Sequence, residues 1–275
     1  MGMEWPPKLP NVYYQDDAVC LVHADCRDIL PLLSDKSIEL VLTDPPYGTN
    51  LDKYDLPIGS EVWSEVRRLA GKLVMVMGYA SVLFDVAKHF SDLKLIGYIV
   101  WYKPNEPVVS PGLTRTHQDI AIWGRSITQL RADKVREPYR YSTDLEKFFG
   151  AGSSDSFGQR LVGPKSLNGR RCTDLWEINV PYHGFNAHLR LHPHQKPNEL
   201  VNRLILLGSD AGDIVLDPFL GSGTTAMAAK KLGRKCIGIE ISEHYCEVAA
   251  KRCSQMVLPL EVEKEQAMAL PMAGL

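Results

Sequence analysis

The run Asp44-Pro45-Pro46-Tyr47 follows an apolar stretch and combines residue types that can hold a planar amino group. Pro45 has no N–H, but its carbonyl oxygen can accept a hydrogen bond, and Asp44 supplies a second acceptor beside it. Tyr47 adds a flat aromatic face, and the two prolines stiffen the turn. The run therefore predicts a site that grips a ring bearing an exocyclic NH2. The alternative is a proline-rich turn after an edge strand.

A second run, residues 217–225, reads D-P-F-L-G-S-G-T-T and lies between a predicted strand and a predicted helix. Its glycines let backbone N–H groups approach a ligand, as in nucleotide-binding βα units. No Lys follows the second Gly, so the run is not a P-loop, and it is not a full G-x-G-x-x-G either. Glu240, 19 residues after Gly221, closes the next predicted strand at the spacing of a ribose-binding acid. The alternative is a helix cap with an unrelated surface glutamate.

Two further positions carry weaker signals. Asp25 closes a predicted strand and can either accept a hydrogen bond from an adenine amino group or cap the next helix. Lys196, in the run H-P-H-Q-K-P before a predicted helix, can pair with a carboxylate in the pocket. Four histidines lie in or near this run: His183, His188, His192 and His194. They have no cysteine nearby and their spacing matches no metal-binding template, so the sequence predicts no metal site.

The elements that must position these residues alternate between strands and helices. This alternation predicts an α/β fold with a mostly parallel sheet and helices on both faces. In such sheets ligands bind outside the carboxyl ends of the strands. Strands are predicted at 18–25, 38–44, 72–77, 95–102, 119–123, 213–217 and 235–241, and helices at 27–33, 61–71, 81–90, 197–207, 222–232 and 242–256, the last capped by Ser242.

Composition narrows the class of protein. The chain has 275 residues, of which 45% are hydrophobic and 23% charged, which fits one α/β domain with an inserted module. It contains no apolar run of roughly 18 residues, as a membrane helix requires, and no signal-peptide pattern at its start. The six cysteines form no C-x-x-C pair, which favours reduced thiols in a cytoplasmic protein over disulfides.

The regular pattern is lost between residues 124 and 191. A structureless loop of this length is unusual inside a domain, so the segment is interpreted as an inserted recognition module. Residues 103–190 carry 13 Lys and Arg against 9 Asp and Glu in a chain of net charge −2, which suits contact with phosphates, although chance patterning is the alternative. The catalytic domain is then 12–123 with 192–256, and 257–275 is a flexible tail. Residues 48–59 are predicted to form a lid.

Taken in order, these motifs resemble the beta class of DNA amino-methyltransferases: D-P-P-Y, a variable middle, H-P-x-Q-K-P, D-P-F-x-G-S-G-T-T and I-G-I-E. The resemblance covers roughly residues 18–256. One departure is the second His of H-P-H-Q-K-P, where a small polar residue is commoner. The resemblance implies a circularly permuted, Rossmann-like SAM-dependent methyltransferase fold with a target recognition domain at 124–191.

The resemblance also implies roles for individual residues. Asp44, Pro45, Pro46 and Tyr47 become the catalytic site. S-adenosyl-L-methionine (SAM) becomes the cofactor, with its ribose on Glu240. Its adenine lies at Asp25 and its methionine carboxylate near Lys196. The remaining cofactor-binding residues are Cys26, Asp217, Phe219, Gly221, Ser222, Gly223 and Thr224.

The reaction implied is methyl transfer from SAM to N6 of an adenine flipped out of double-stranded DNA. Cytosine N4 is the nearest alternative, because the same family acts on both bases. Asp44 favours adenine, since the cytosine enzymes more often have Ser at this position. RNA or protein-glutamine methylation and a non-catalytic DNA-binding module are more distant alternatives. Family members often dimerise and can accompany a restriction endonuclease, so the resemblance allows both as partners, and it implies no membrane association.

Overall fold

The structure, a computed structural model, describes residues 5, 7–46, 58–105, 114–137, 170–181 and 195–255. Eleven strands lie in these ranges, nine of them in one mixed sheet. They are β1 (Val12–Gln15), β2 (Val19–His23), β3 (Ile38–Thr43), β4 (Ala70–Gly78), β5 (Lys94–Tyr102), β6 (His117–Gly124), β7 (Arg136–Glu137), β8 (Arg170–Arg171), β9 (Leu175–Glu177), β10 (Ile214–Asp217) and β11 (Lys235–Glu240). The order in the main sheet is β1-β2-β11-β10-β3-β4-β6-β5-β9, and β7 pairs with β8 separately.

The five central strands, β2, β11, β10, β3 and β4, are parallel to one another. β1 and β6 run antiparallel to their neighbours, and β9 runs parallel to β5. Parallel strands end at the same side of a sheet. The residues that follow β2, β3, β10 and β11 therefore meet along one border, which we call the carboxyl edge. The opposite border is called the amino edge.

Helices cover both faces of the sheet. They are α1 (Cys26–Ile29), α2 (Ser60–Leu69), α3 (Ala80–Ala87), α4 (Asn198–Gly208), α5 (Thr224–Lys231) and α6 (Glu243–Ser254). On one face α2 buries Val62, Trp63, Val66 and Leu69, the spacing of a single helical stripe. The other face packs against α4, α5 and α6. Strand β4 is buried along most of its length because helices cover it on both sides.

The predicted strands and helices are confirmed with shifts of one to three residues at their ends, with one exception. The predicted helix 27–33 consists of the short α-helix α1, which ends at Ile29, and a 3-10 turn, Leu30–Leu32. Ser242 stands at the N-cap of α6, but its side chain makes no capping hydrogen bond, so that part of the prediction was wrong. Strand β1 was not predicted. Strand β9 lies inside the predicted insertion, yet it forms the edge of the main sheet beside β5, and its Trp176 is buried in the main core.

Several predictions fall outside the described residues. These are Tyr47, nearly all of the proposed lid, most of the recognition segment, the four histidines and the tail. Within the described ranges, all six cysteines are free thiols, and no group of three or more His, Cys, Asp or Glu could hold a metal. The same ranges contain no helix that is both long and apolar enough to span a membrane.

Candidate active site

Asp44 follows β3 at the carboxyl edge, and two side chains from other elements hold its carboxylate. The Gln118 amide, from the start of β6, donates to Oδ1 over 3.2 Å. The Lys196 ammonium, from the residues just before α4, forms an ion pair with Oδ2. The side chains of Asp44 and Lys196 are 19% and 12% exposed, so the pair is largely shielded from water. The prediction that Lys196 pairs with a carboxylate in the pocket is confirmed.

Pro45 and Pro46 continue from Asp44, Pro45 buried and Pro46 partly exposed. Proline cannot donate a backbone hydrogen bond, so this turn offers only acceptors. The carboxylate of Asp44 and the carbonyl of Pro45 are therefore two acceptors on consecutive residues at the end of a buried strand.

The Gly-rich turn follows β10, and Asp44 follows β3. Because β10 and β3 are paired, the turn and Asp44 are neighbours at the carboxyl edge. Gly221 and Gly223 have φ angles of 55° and 82°, in the left-handed region that favours glycine. A Cβ on Gly223 would stand 2.8 Å from the Cβ of Ala249 in α6. Only glycine allows this turn to bend and the start of α5 to pack so closely.

Glu240, at the end of β11, fixes that turn. Its Oε2 accepts from the Gly221 N–H over 2.7 Å, and its Oε1 accepts from the Ser242 N–H over 2.8 Å. The carboxylate is buried, and a carboxylate oxygen can accept more than one hydrogen bond. Glu240 therefore orders the turn in addition to any contact with ribose.

Asp217 is buried beneath the same turn, where its Oδ1 accepts from the Phe219 N–H over 3.2 Å. Burial raises the pKa of Asp217 to about 7, and the charge of Asp44 adds to the rise. Hydrogen bonds from Thr225 and the Phe219 amide act in the opposite direction. Asp217 thus supports the loop from below and titrates near neutral pH.

Asp25 caps α1, as the alternative reading had it. Its Oδ1 accepts from the Arg27 N–H over 2.9 Å, and the Arg27 guanidinium forms an ion pair with Oδ2. The hydrogen bond from the Arg27 side chain lowers the pKa of Asp25. Cys26 is buried, and burial raises the pKa of its thiol to about 12. A contact from Asp25 or Cys26 to adenine stays a prediction.

Two residues that contribute to the site were missed by sequence reasoning. Gln118 is buried at the start of β6, where it stands between His117 and Asp119 in a polar run that matches no motif. Arg252, near the end of α6, donates to the Ser222 carbonyl and to the Thr224 hydroxyl, and so ties the Gly-rich turn to the last helix. Neither pairing has a sequence signal, because both arise only from the way distant segments fold together.

The predicted basic segment is only partly described. Arg131 and Lys134 both pair with Asp210, which precedes β10 and so lies at the amino edge, away from Asp44. A contact from these two residues to a DNA phosphate, which the basic character of the segment suggests, stays a prediction. The Arg136 side chain donates to the backbone of Asp133. Arg140 and Lys165, and the side chains of Arg170 and Arg171, lie outside the described residues.

These features fit SAM as a cofactor. A glycine turn, a buried acid on the adjacent strand and a second acidic residue after β2 occupy neighbouring positions at one edge of the sheet. The circular permutation is also visible, because β10 comes late in the chain yet lies between β11 and β3. Fold and site together define a SAM-dependent methyltransferase of the permuted type.

Comparison with known proteins narrows the class. A family model for DNA methylases that act on N6 or N4 matches residues 38–251. The type II methyltransferase M.HpaI of Haemophilus parainfluenzae is 30% identical over 84% of this chain and 73% of its own length. The chain therefore belongs to the N6/N4 DNA methylase family, and it is a SAM-dependent DNA amino-methyltransferase.

Solved structures agree on the fold. The PvuII DNA methyltransferase, which is cytosine-N4-specific, has a TM-score of 0.61 at 18% identity, covering 89% of this chain and 90% of the other. The M1.HpyAVI–SAM complex has a TM-score of 0.56 at 22% identity, covering 86% and 99%.

Proposed function

We propose that this protein methylates N6 of adenine in double-stranded DNA. The observation that carries the proposal is the aspartate at position 44, held at the carboxyl edge beside the Pro45 carbonyl. Cytosine enzymes of the family more often have serine there. The fold itself does not discriminate, because the cytosine-N4-specific PvuII enzyme shares it.

Asp44 and Pro45 act on the target amino group. That nitrogen is conjugated with its ring and is therefore a poor nucleophile. Two hydrogen bonds, one to the carboxylate and one to the Pro45 carbonyl, favour a pyramidal nitrogen with an available lone pair. Positive charge gathers on the nitrogen during transfer, and the Asp44 carboxylate stabilises that charge by about 3 kcal/mol or more.

Gln118 and Lys196 fix the direction of the Asp44 carboxylate. Each contacts one carboxylate oxygen, so the side chain cannot rotate freely. A carboxylate has about four lone-pair sites, so Asp44 can accept from the target amino group while it keeps these two contacts. Positioning of this kind contributes to catalysis because a misplaced acceptor cannot follow the developing charge.

The cofactor is held by the Gly-rich turn and the acids around it. Glu240 would bind the ribose hydroxyls, Asp25 the adenine, and the turn from Asp217 to Thr224 the remainder. When bound, SAM supplies an electrophilic methyl group on a sulfonium sulfur. Lys196, which contacts Asp44 here, is also the cation proposed to meet the methionine carboxylate.

The target base must leave the duplex before Asp44 can reach its amino group, at a cost of a few kcal/mol. We assign stacking of the flipped base to Tyr47, which can return about 1–3 kcal/mol. We assign sequence reading to 124–191, with two exceptions. Gly124 ends the core strand β6 at the amino edge and Arg125 follows it, and β9 completes the main sheet. We also propose that the protein forms a homodimer, that it accompanies a cognate restriction endonuclease, and that it is located in the cytoplasm.

Single-molecule sequencing of DNA from a methylation-deficient host that expresses the protein tests the proposal. We expect N6-methyladenine at one short recurrent sequence, and none in cells expressing Asp44→Ala. Modification at cytosine in the same assay would replace adenine by cytosine as the target. A host genome without any modified base would refute the activity.

A further inference from the structure

Arg115 lies just before β6, and its guanidinium is stacked on the ring of Tyr79, 4.6 Å from the ring centroid. Arg115 is exposed to solvent, whereas Tyr79, between β4 and α3, is partly buried. Stacking on an aromatic face restrains the planar guanidinium while its N–H groups remain free to donate at the edge. The pair therefore presents a pre-ordered cation at the surface.

Arg115 has no carboxylate partner in the described part of the chain. Most other arginines in these ranges do have one, or they donate to a backbone or hydroxyl oxygen. Those with a carboxylate are Arg27, Arg67, Arg68, Arg131 and Arg203, and those bonded to other oxygens are Arg136, Arg234 and Arg252. An exposed arginine that is ordered by an aromatic ring rather than by an acid is available for an external anion.

The position of the pair relates it to Asp44. Thr43 pairs with Val76 of β4, so Asp44 stands level with Met77, two residues before Tyr79. Strand geometry then places the Cα of Tyr79 roughly 8–10 Å from that of Asp44. Strand β6 is antiparallel to β4, so Arg115, just before its first residue, also lies at the carboxyl edge.

We propose that Arg115, held by Tyr79, binds a backbone phosphate of the DNA strand whose base enters the site. Phosphates recur every 3.4 Å along a DNA strand, so a base delivered to Asp44 brings several of them past this edge. A guanidinium matches the geometry of a phosphate with two parallel N–H donors. Such a contact orients the strand without reading its sequence. The inference rests on DNA as the substrate, but not on adenine as the target base.

The proposal moves part of the DNA contact out of the segment 124–191 and onto the catalytic sheet. Arg131 and Lys134, two of the described cations of that segment, share the single carboxylate of Asp210 at the amino edge. Arg115 lies at the carboxyl edge and pairs with no acid in the described residues. A phosphate anchor close to Asp44 would help place the flipped nucleotide.

The test compares two exposed arginines at opposite ends of one strand. Arg115→Ala is the test variant and Arg125→Ala the control, because Arg125 follows β6 at the amino edge, roughly 30 Å away by strand geometry. Both changes remove one positive charge from the same chain. Duplex binding is measured by fluorescence anisotropy at several salt concentrations, with duplexes of different sequence, and SAM affinity is measured by calorimetry.

We expect Arg115→Ala to weaken binding to every duplex by about tenfold, with the slope of log K against log salt reduced by about 0.9. SAM affinity and the binding of Arg125→Ala should stay at the wild-type level. Tyr79→Phe should bind normally, and Tyr79→Leu should lose part of the affinity, because only the ring orders the guanidinium.

Several outcomes would overturn the inference. Wild-type affinity and salt slope in Arg115→Ala would remove the contact. A loss confined to one base position would make Arg115 a base-reading residue, and an equal loss in Arg125→Ala would reduce the effect to overall charge. If the unmodified protein bound no duplex, DNA itself would be refuted as the substrate. A cytosine product with the expected Arg115 result would refute only the adenine proposal.

Discussion

Replacing Asp44 by alanine or by asparagine separates its role in the reaction from its role in the ion pair. Alanine removes both the acceptor offered to the target amino group and the partner of Lys196. Asparagine keeps an oxygen for the Gln118 amide but loses the negative charge. If the charge is what stabilises the transition state, both variants should lose activity, while only alanine removes both acceptor atoms that Asp44 offers to the neighbouring side chains.

The magnitude follows from burial and charge. Loss of a preorganised group aimed at a developing charge costs about 2.7–4 kcal/mol, or 100- to 1000-fold in kcat. The side chains of Lys196 and Asp44 are 12% and 19% exposed, so their ion pair is intermediate between a surface pair and a fully buried pair. Exposed pairs contribute about 0.2–1 kcal/mol, and removing one partner of a buried pair costs about 3–5 kcal/mol. We expect Asp44→Ala to lower the free energy of unfolding by roughly 1–3 kcal/mol.

The assay measures methyl transfer under single-turnover conditions, SAM affinity by calorimetry and unfolding by denaturant. Both variants should lose at least about 100-fold in rate while SAM affinity changes by less than about threefold. Asp44→Asn should be the more stable of the two. A collapse of SAM affinity would make Asp44 a cofactor ligand and refute the mechanism. A rate within about fivefold of wild type in Asp44→Asn would show that the charge is not needed.

Three further changes test the rest of the site. Gln118→Leu should reduce kcat by about 10-fold or more, because it removes the hydrogen bond to one oxygen of Asp44. The kcat of Gln118→Glu should be no higher than that of Gln118→Leu. An unchanged kcat would leave Gln118 with a purely structural role. Glu240→Gln should weaken SAM by about 10-fold or more in calorimetry, since it loses charge-assisted bonds to the turn and to ribose, and wild-type affinity would remove Glu240 from the site. Burial raises the pKa of Asp217 from 3.8 to about 7, so the folded protein holds a proton that the unfolded chain releases, and stability should fall as pH rises through this window. In thermal melts between pH 4 and 7, Asp217→Asn should lose less stability with rising pH than the wild type does. An unaltered pH dependence would show that other groups cause the loss.

The catalytic core could be predicted from sequence because its signals are local. Strands such as β4 contain a continuous apolar run, here residues 73–77, and α2 repeats its buried residues with helical spacing. Strand β9 escaped prediction because three residues among polar ones acquire their place only by pairing with β5, far away in sequence. Strand β1 escaped for a similar reason: it is a mostly exposed edge strand without an apolar run.

Local motifs and contacts between distant segments differ in the same way at the site. Asp44, Asp217, Glu240 and the glycine turn were predictable because they stand at strand ends within short motifs. The partners that orient them, Gln118 for Asp44 and Arg252 for the turn, come from other segments and depend on the three-dimensional arrangement. Asp25 shows the limit of a single-residue argument, since its carboxylate caps α1 and binds Arg27.

The measurement that tests the central claim most directly is transfer of an isotopically labelled methyl group by the purified protein. Duplex DNA is incubated with SAM carrying a trideuterated methyl group, digested to nucleosides and examined by mass spectrometry. The account predicts labelled N6-methyladenine from the wild type and at least about 100-fold less from Asp44→Asn. Labelled N4-methylcytosine would contradict the choice of adenine, and unlabelled nucleosides throughout would contradict the enzymatic activity itself.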